Sequence, residues 1–208
     1  MLFASDNWAG AAPEISEALS GAAATFGAAY GGSDLDQAVR AQFNDVFECE
    51  VSVFPVSTGT AANALSLAAL TRPGGVILCH SDAHSEADEC GAVEYLTGGS
   101  RLRLLDGVDG KLTADGVEQA LDGCDPNFVH GGRPTALSIT QATEAGAIYS
   151  RDAVAQLAAL AKAHGLGVHM DGARFANALA ATNVSAADMT WRAGVDVLSF
   201  GGTKNDKT

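Results

Sequence analysis

Between Ser150 and Phe200 the chain alternates two patterns whose order restricts the fold more than any other feature of the sequence. Ser150 can cap a helix from Arg151 to His164, with Val154, Leu157, Ala158 and Ala161 on one side. Gly165 stands where such a helix turns out into the left-handed region. The short apolar run Leu166 to Asp171 (L-G-V-H-M-D) then reads as a strand. Ser185 with Asp188 is close to a capping-box pattern and starts a further helix. Val195 to Phe200 (V-D-V-L-S-F) is the next strand. A strand, a helix and a strand joined by short connections imply parallel pairing, since a hairpin needs no intervening helix.

The first part of the chain reads in the same way. A helix is predicted from Ser33 to Phe47, with Leu35, Val39, Phe43 and Phe47 four apart on one face. Glu50 to Val56 is predicted as a strand, Thr60 to Leu70 as a helix, and Gly75 to Cys79 and Arg101 to Leu105 as short strands. Thr113 caps a helix carrying Val117 and Leu121, and Ala136 to Thr140 is another strand. The expected fold class is therefore α/β, three-layered, with a mostly parallel sheet covered by helices on both faces. The 24 glycines and the low aromatic share suit close helix–sheet packing.

Charge and cysteine usage narrow the function classes. Lys and Arg total 12 against 25 Asp and Glu, a net charge of -13. A chain this acidic offers no basic face to nucleic acid or to an anionic membrane. No apolar stretch reaches eighteen residues, and M-L-F-A-S-D-N-W lacks the basic start and long apolar centre of a signal peptide. Cys49, Cys79, Cys90 and Cys124 form no C-x-x-C pair, which suits a reduced, cytoplasmic setting.

Parallel sheets bind ligands at the carboxyl ends of their strands. Four polar segments fall there. Ser57-Thr58-Gly59-Thr60 opens a helix whose free amides and positive dipole end suit a phosphate, or simply form a good cap. Asp82-Ala83-His84 follows a second strand. Asp171 ends a third, in H-M-D-G-A-R-F; it either caps the next turn with Arg174 as its ion-pair partner, or pairs with a protonated ring nitrogen while Arg174 holds an anionic oxygen. Lys204 follows a fourth behind Gly201 and Gly202, and a desolvated Lys there can form a Schiff base with an aldehyde. A phosphate cradle, an acid for a ring nitrogen and a Lys for an aldehyde together describe pyridoxal 5'-phosphate (PLP). Cys79, His80, Asp82, His84 and Cys90 have residue types that suit zinc, but their spacing matches no standard site, so no metal is expected.

The strings F-A-S-D-N, Y-G-G-S, V-S-T-G-T-A-A-N, D-A-H, L-S-I-T-Q-A-T-E-A-G-A-I-Y-S, H-M-D-G-A-R-F-A-N-A-L and M-T-W-R-A-G-V-D-V-L-S-F-G-G-T-K-N span essentially the whole chain. On them the chain resembles the low-specificity L-threonine aldolases, within the PLP-dependent fold type I (aspartate aminotransferase-like) group and the β-eliminating lyases. The resemblance implies cleavage of L-threonine or L-allo-threonine to glycine and acetaldehyde. It implies Lys204 as the residue bonded to the cofactor, Asp171 as the partner of the pyridine nitrogen, and Thr58, Gly59 and Thr60 as the phosphate turn. His84 would stack on the ring and act as base. Arg174 would contact the cofactor's phenolic oxygen or the substrate carboxylate. Ser5 would contact that carboxylate, and Tyr30 and Glu89 would line the site. It further implies a homodimer or homotetramer.

The same resemblance divides the chain into an N-terminal active-site segment, 1–33, and a PLP-binding large domain, 34–208. Family members continue into a smaller C-terminal domain, of which these 208 residues hold no part, and read T-K-N-G where this chain reads T-K-N-D-K-T. Two other readings compete: another fold type I enzyme, such as a β-lyase or aminotransferase, and a non-catalytic remnant that associates with intact copies.

Overall fold

A computed structural model describes residues 4–8, 10–125 and 128–205. Five strands form one parallel sheet in the order β2-β1-β3-β4-β5: β1 Gly75–His80, β2 Arg101–Leu105, β3 Arg133–Thr140, β4 Gly167–Gly172 and β5 Val197–Phe200. The chain runs outward from β1 to β2, then crosses back to β3 on the other side. This reversal places the crevice at the carboxyl ends beside β1 and β3. The expected α/β class, with a mostly parallel sheet, is what the fold has.

The helices are α1 Pro13–Ala23, α2 Asp34–Phe47, α3 Gly59–Leu70, α4 His84–Ala87, α5 Ala92–Leu96, α6 Ala114–Asp122, α7 Arg151–Ala163, α8 Phe175–Thr182 and α9 Ala186–Met189. Several begin where the sequence places a cap. Ser33, Thr58, Thr113, Ser150 and Ser185 each accept a backbone N–H from three residues on, satisfying a donor that has no partner within its helix. Ser33 and Asp36 complete a reciprocal capping box. The helix begun by Ser185 is a single turn.

Successive strand residues point to opposite faces, and each face has its own cover. Val76, Leu78, Leu137, Ile139, Val168 and Met170 pack with Val117, Leu121, Val154, Leu157 and Ala161 of α6 and α7. Ile77 and Ala136 pack on the other side with Ala64 and Leu67 of α3 and Val93 of α5. Leu67, Ile77, Val93 and Ala136 have no exposed surface at all.

One expectation is corrected. Residues 50–56 are not a strand. Pro55 lacks a ladder donor, the Val51 N–H donates to Asn44 Oδ1, and Phe54 and Val56 are exposed, so no neighbouring strand takes up this segment. The apolar stripe of α2 is covered only toward its carboxyl end: Phe47 is buried and stacks on Phe43 and Phe175, whereas Leu35 is exposed.

Candidate active site

The site forms on the α3 side of the sheet, at the strand ends. Val168 and Met170 face α7, so His169 and Asp171 must face α3. Asn63 and Ser66 lie three apart on α3 and meet that face of the sheet one turn apart. The buried Asn63 amide donates one N–H to Asp171 Oδ2 at 2.9 Å and the other to Glu89 Oε1 at 2.8 Å. His84 Nδ1 lies 2.9 Å from the same Glu89 oxygen. One chain of contacts thus joins His84, Glu89, Asn63 and Asp171. Asp171 Oδ1 also accepts the Ala173 N–H, which fixes both of its oxygens. Burial is the main reason the Glu89 carboxyl titrates above its usual range. Hydrogen bonds from His84 and Asn63 oppose that rise, and the Asp171 charge adds to it.

Beneath this chain runs a second polar row. His169 Nδ1 and Nε2 each lie 2.9 Å from a serine hydroxyl, Ser138 on β3 and Ser199 on β5. The Ser199 hydroxyl reaches Ser66 of α3 at 3.4 Å.

Arg174 does not pair with Asp171. It follows β4 and donates through Nε to Asp6 Oδ2 at 2.7 Å, through Nη2 to Asp6 Oδ1 at 3.3 Å and through Nη1 to Glu144 Oε2 at 3.2 Å. The Arg174 hydrogen bond is the largest influence holding the Asp6 carboxyl below its usual range; burial opposes it, and the charges of Arg174 and Lys204 add to the lowering. Lys204 therefore lies close enough to act on Asp6. Burial works against the Arg174 charge, but Asp6 and Glu144 outweigh it and raise the pKa of the guanidinium.

Lys204 is half-buried in the turn after β5. A side chain at Gly201 would place Cβ 2.6 Å from the Ala173 carbonyl, so this close approach of two backbones requires glycine. Asn205 ties the turn down: Ala176 N–H donates to its Oδ1 at 3.0 Å, and its Nδ2 donates to the Gly201 carbonyl at 2.5 Å. Thr58 caps α3 through Ala61 N–H at 3.1 Å, and a Cβ at Gly59 would meet no atom within 4 Å, so the space in front of this helix end is open.

The remaining expected site residues stand apart. Ser5 Oγ accepts the Asn7 N–H at 3.2 Å beside Asp6. Tyr30 has a positive φ of 62° and a fully exposed side chain. Asn63 and Glu144 lie within quoted strings, but nothing local in the sequence assigns them these contacts.

A parallel sheet in this strand order, covered by helices on both faces and with an acid, a lysine and a helix amino terminus at its strand ends, has the architecture of the fold type I (aspartate aminotransferase-like) large domain. The solved threonine aldolase of Leishmania major is similar: TM-score 0.82 and 27% identity, covering 88% of this chain and 54% of that one. An aspartate aminotransferase of Thermus thermophilus shares the fold, at TM-score 0.60 and 20% identity over 79% of this chain and 45% of its own. The β-eliminating lyase family matches residues 3–207, and the chain belongs to it. It is 43% identical over 204 residues to the low specificity L-threonine aldolase of Pseudomonas aeruginosa, covering 98% of this chain and 58% of that relative. A probable low-specificity L-threonine aldolase of Schizosaccharomyces pombe is 35% identical over 138 residues, 65% of this chain and 35% of its own. The chain thus spans little more than half the length of the Pseudomonas relative.

Proposed function

We propose that this chain is the cofactor-binding part of a PLP-dependent aldolase that cleaves L-threonine and L-allo-threonine to glycine and acetaldehyde. The observation that carries this reading is the convergence of His84, Glu89, Asn63 and Asp171 at the strand ends. Membership of the β-eliminating lyases and 43% identity to a threonine aldolase support the reaction class.

The residues fit the cofactor. Asn63 Oδ1 and Glu89 Oε2 are buried oxygens without a hydrogen-bond partner, as expected where a polar ligand completes the site. The α3 amino terminus, with Thr58, Gly59 and Thr60, would hold the phosphate. Asp171, its oxygens oriented by Asn63 and Ala173, would pair with the ring nitrogen. The Lys204 amine would hold the aldehyde end. When bound, PLP supplies an electron sink for the charge left at the substrate Cα.

His84, its ring fixed through Nδ1, accepts the β-hydroxyl proton at Nε2 as the Cα–Cβ bond breaks and acetaldehyde leaves. Return of a proton to Cα gives glycine. Arg174 holds the substrate carboxylate, which takes the place of Asp6 or Glu144 on its fork, with Ser5 next to Asp6 on that side; Tyr30, fully exposed, would have to turn inward to join them.

Residues 1–33 act as the active-site segment and 34–208 as the large domain, a division supported by the Asp6–Arg174 pair. The protein is a cytoplasmic homo-oligomer in this reading. Four free cysteines suit a reducing compartment, and α1, which buries none of its residues, suits a partner copy.

Absorbance spectra with added PLP, before and after borohydride, beside K204A, test the proposal. A reducible band lost in K204A, with acetaldehyde released from threonine, is the expected result. No band in either protein, or a band that survives K204A, overturns it.

A further inference from the structure

The sequence leaves Asn63 without a role, yet it is the only residue that touches both halves of the polar chain among the described residues. It is 3% exposed and sits on the second turn of α3, behind the helix end assigned to the phosphate. Its amide has two N–H donors, and both are spent on carboxylates. Those carboxylates lie far apart in sequence: Glu89 just before α5 and Asp171 at the end of β4. Like charges this close repel, and a neutral amide between them presents a donor to each without adding charge.

No other residue type supplies this link at the same size. Asp would add a third acceptor. Leu would leave two buried carboxylate oxygens each short of a partner. The amide also fixes geometry. Glu89 Oε1, held by Asn63, is the atom that fixes the His84 ring, so the position of His84 relative to Asp171 passes through residue 63.

We propose that Asn63 is a positioning residue that locks Asp171 and the His84–Glu89 pair into one frame, so that the acid for the ring nitrogen and the histidine over the ring are set together. This rests on the cofactor reading above. Burial and the nearby Asp171 charge push the Glu89 carboxyl upward, and the Asn63 hydrogen bond opposes that rise, as a donor placed between two acids should.

The test is PLP affinity, measured by fluorescence quenching of the full chain, together with the pH midpoint of the bound chromophore. N63L is expected to weaken PLP binding by about tenfold, the scale of losing buried hydrogen bonds to charged groups, and to move the midpoint. E89Q keeps an acceptor oxygen for Asn63 and His84 but removes the second charge that the Asn63 amide stands between. The N63L and E89Q effects on affinity should therefore be non-additive, the double variant binding no worse than the weaker single one. N63D keeps the shape and reverses the donor. Its PLP binding should be weak at neutral pH and recover as pH falls and the new carboxyl gains a proton, which settles the matter even where N63L fails to fold.

An N63L protein with unchanged affinity and midpoint overturns the inference while the cofactor reading stands. So does additivity of the two effects, or N63D binding that does not depend on pH. Absence of the band in the unmodified chain overturns the cofactor reading, and this inference with it.

Discussion

Acid should weaken this fold through a single histidine. His169 is fully buried in the middle of β4, between the hydroxyls of Ser138 and Ser199. Burial lowers its pKa from 6.5 to about 4, and the charge of Asp171 offsets only part of that. The folded pKa is the depressed one, so above pH 6.5 both states hold a neutral ring and the residue adds no pH dependence. Between pH 6.5 and about 4 the unfolded chain takes up a proton that the folded chain refuses, and stability falls as pH falls. At about 1.4 kcal/mol for each pH unit, the loss approaches about 3 kcal/mol near pH 4. Against a typical stability of about 5–15 kcal/mol this is large. Glu89, its carboxyl raised, acts in the opposite sense, because its folded form holds a proton more firmly than its unfolded form. The comparison with H169Q removes that contribution. Glutamine can still meet both serines but does not titrate. Urea unfolding of both proteins from pH 7.5 to 4 should show the unsubstituted chain losing about 3 kcal/mol relative to H169Q, mostly below pH 6.5. A difference between the two proteins that stays constant with pH refutes the reasoning.

Three further outcomes follow from local geometry. S150A removes the cap of α7 and should cost about 1 kcal/mol, seen as a lower urea midpoint with unchanged slope. G201A forces a methyl group onto the Ala173 backbone and should cost about 1–3 kcal/mol, while G202A, whose Cβ would meet nothing within 4 Å, should leave the midpoint nearly unchanged. D6N takes an ionic competitor off Arg174 and should lower the half-saturating concentration of threonine or glycine, by at most about fivefold for a partly exposed pair. A rise in that concentration would mean that Asp6 orients Arg174 rather than competing for it.

What the sequence discloses is set by how local each interaction is. Helix α7 is legible because its cap, its buried stripe and the terminating Gly165 all lie within sixteen residues. The strands of the sheet are legible as short apolar runs between helices. Residues 50–56 carry the same pattern and mislead, because a strand exists only when another strand accepts its ladder, and periodicity carries no information about that partner. The placement of Asp171, Lys204 and the α3 amino terminus at strand ends is legible from the order of strands and helices. Asn63 is not, since an asparagine in an Ala-rich helix looks unremarkable until residues 26 and 108 positions away arrive beside it. Of the two readings of Arg174, the pairing with Asp171 fails for the same reason: Asp171 is its nearest acid in the chain, but its acid partners in space are Asp6 and Glu144.

Helix α3 is where folding and chemistry become inseparable. Its Ala64 and Leu67 close the core above β1 and β3, and are buried completely. Asn63 and Ser66 belong to the neighbouring stripe, turned toward β4 and β5, and each meets one polar row of the sheet. The same apolar contacts that seat the helix therefore set the register of Asn63 against Asp171. Sliding α3 by one residue would move Asn63 by about 1.5 Å along the helix and turn it by about 100°, enough to break both carboxylate contacts and point the amide elsewhere. The open helix end at Gly59 would shift by the same rise. One packing interface thus fixes both the helix end and the bridging amide, and Leu67 serves the site without touching it.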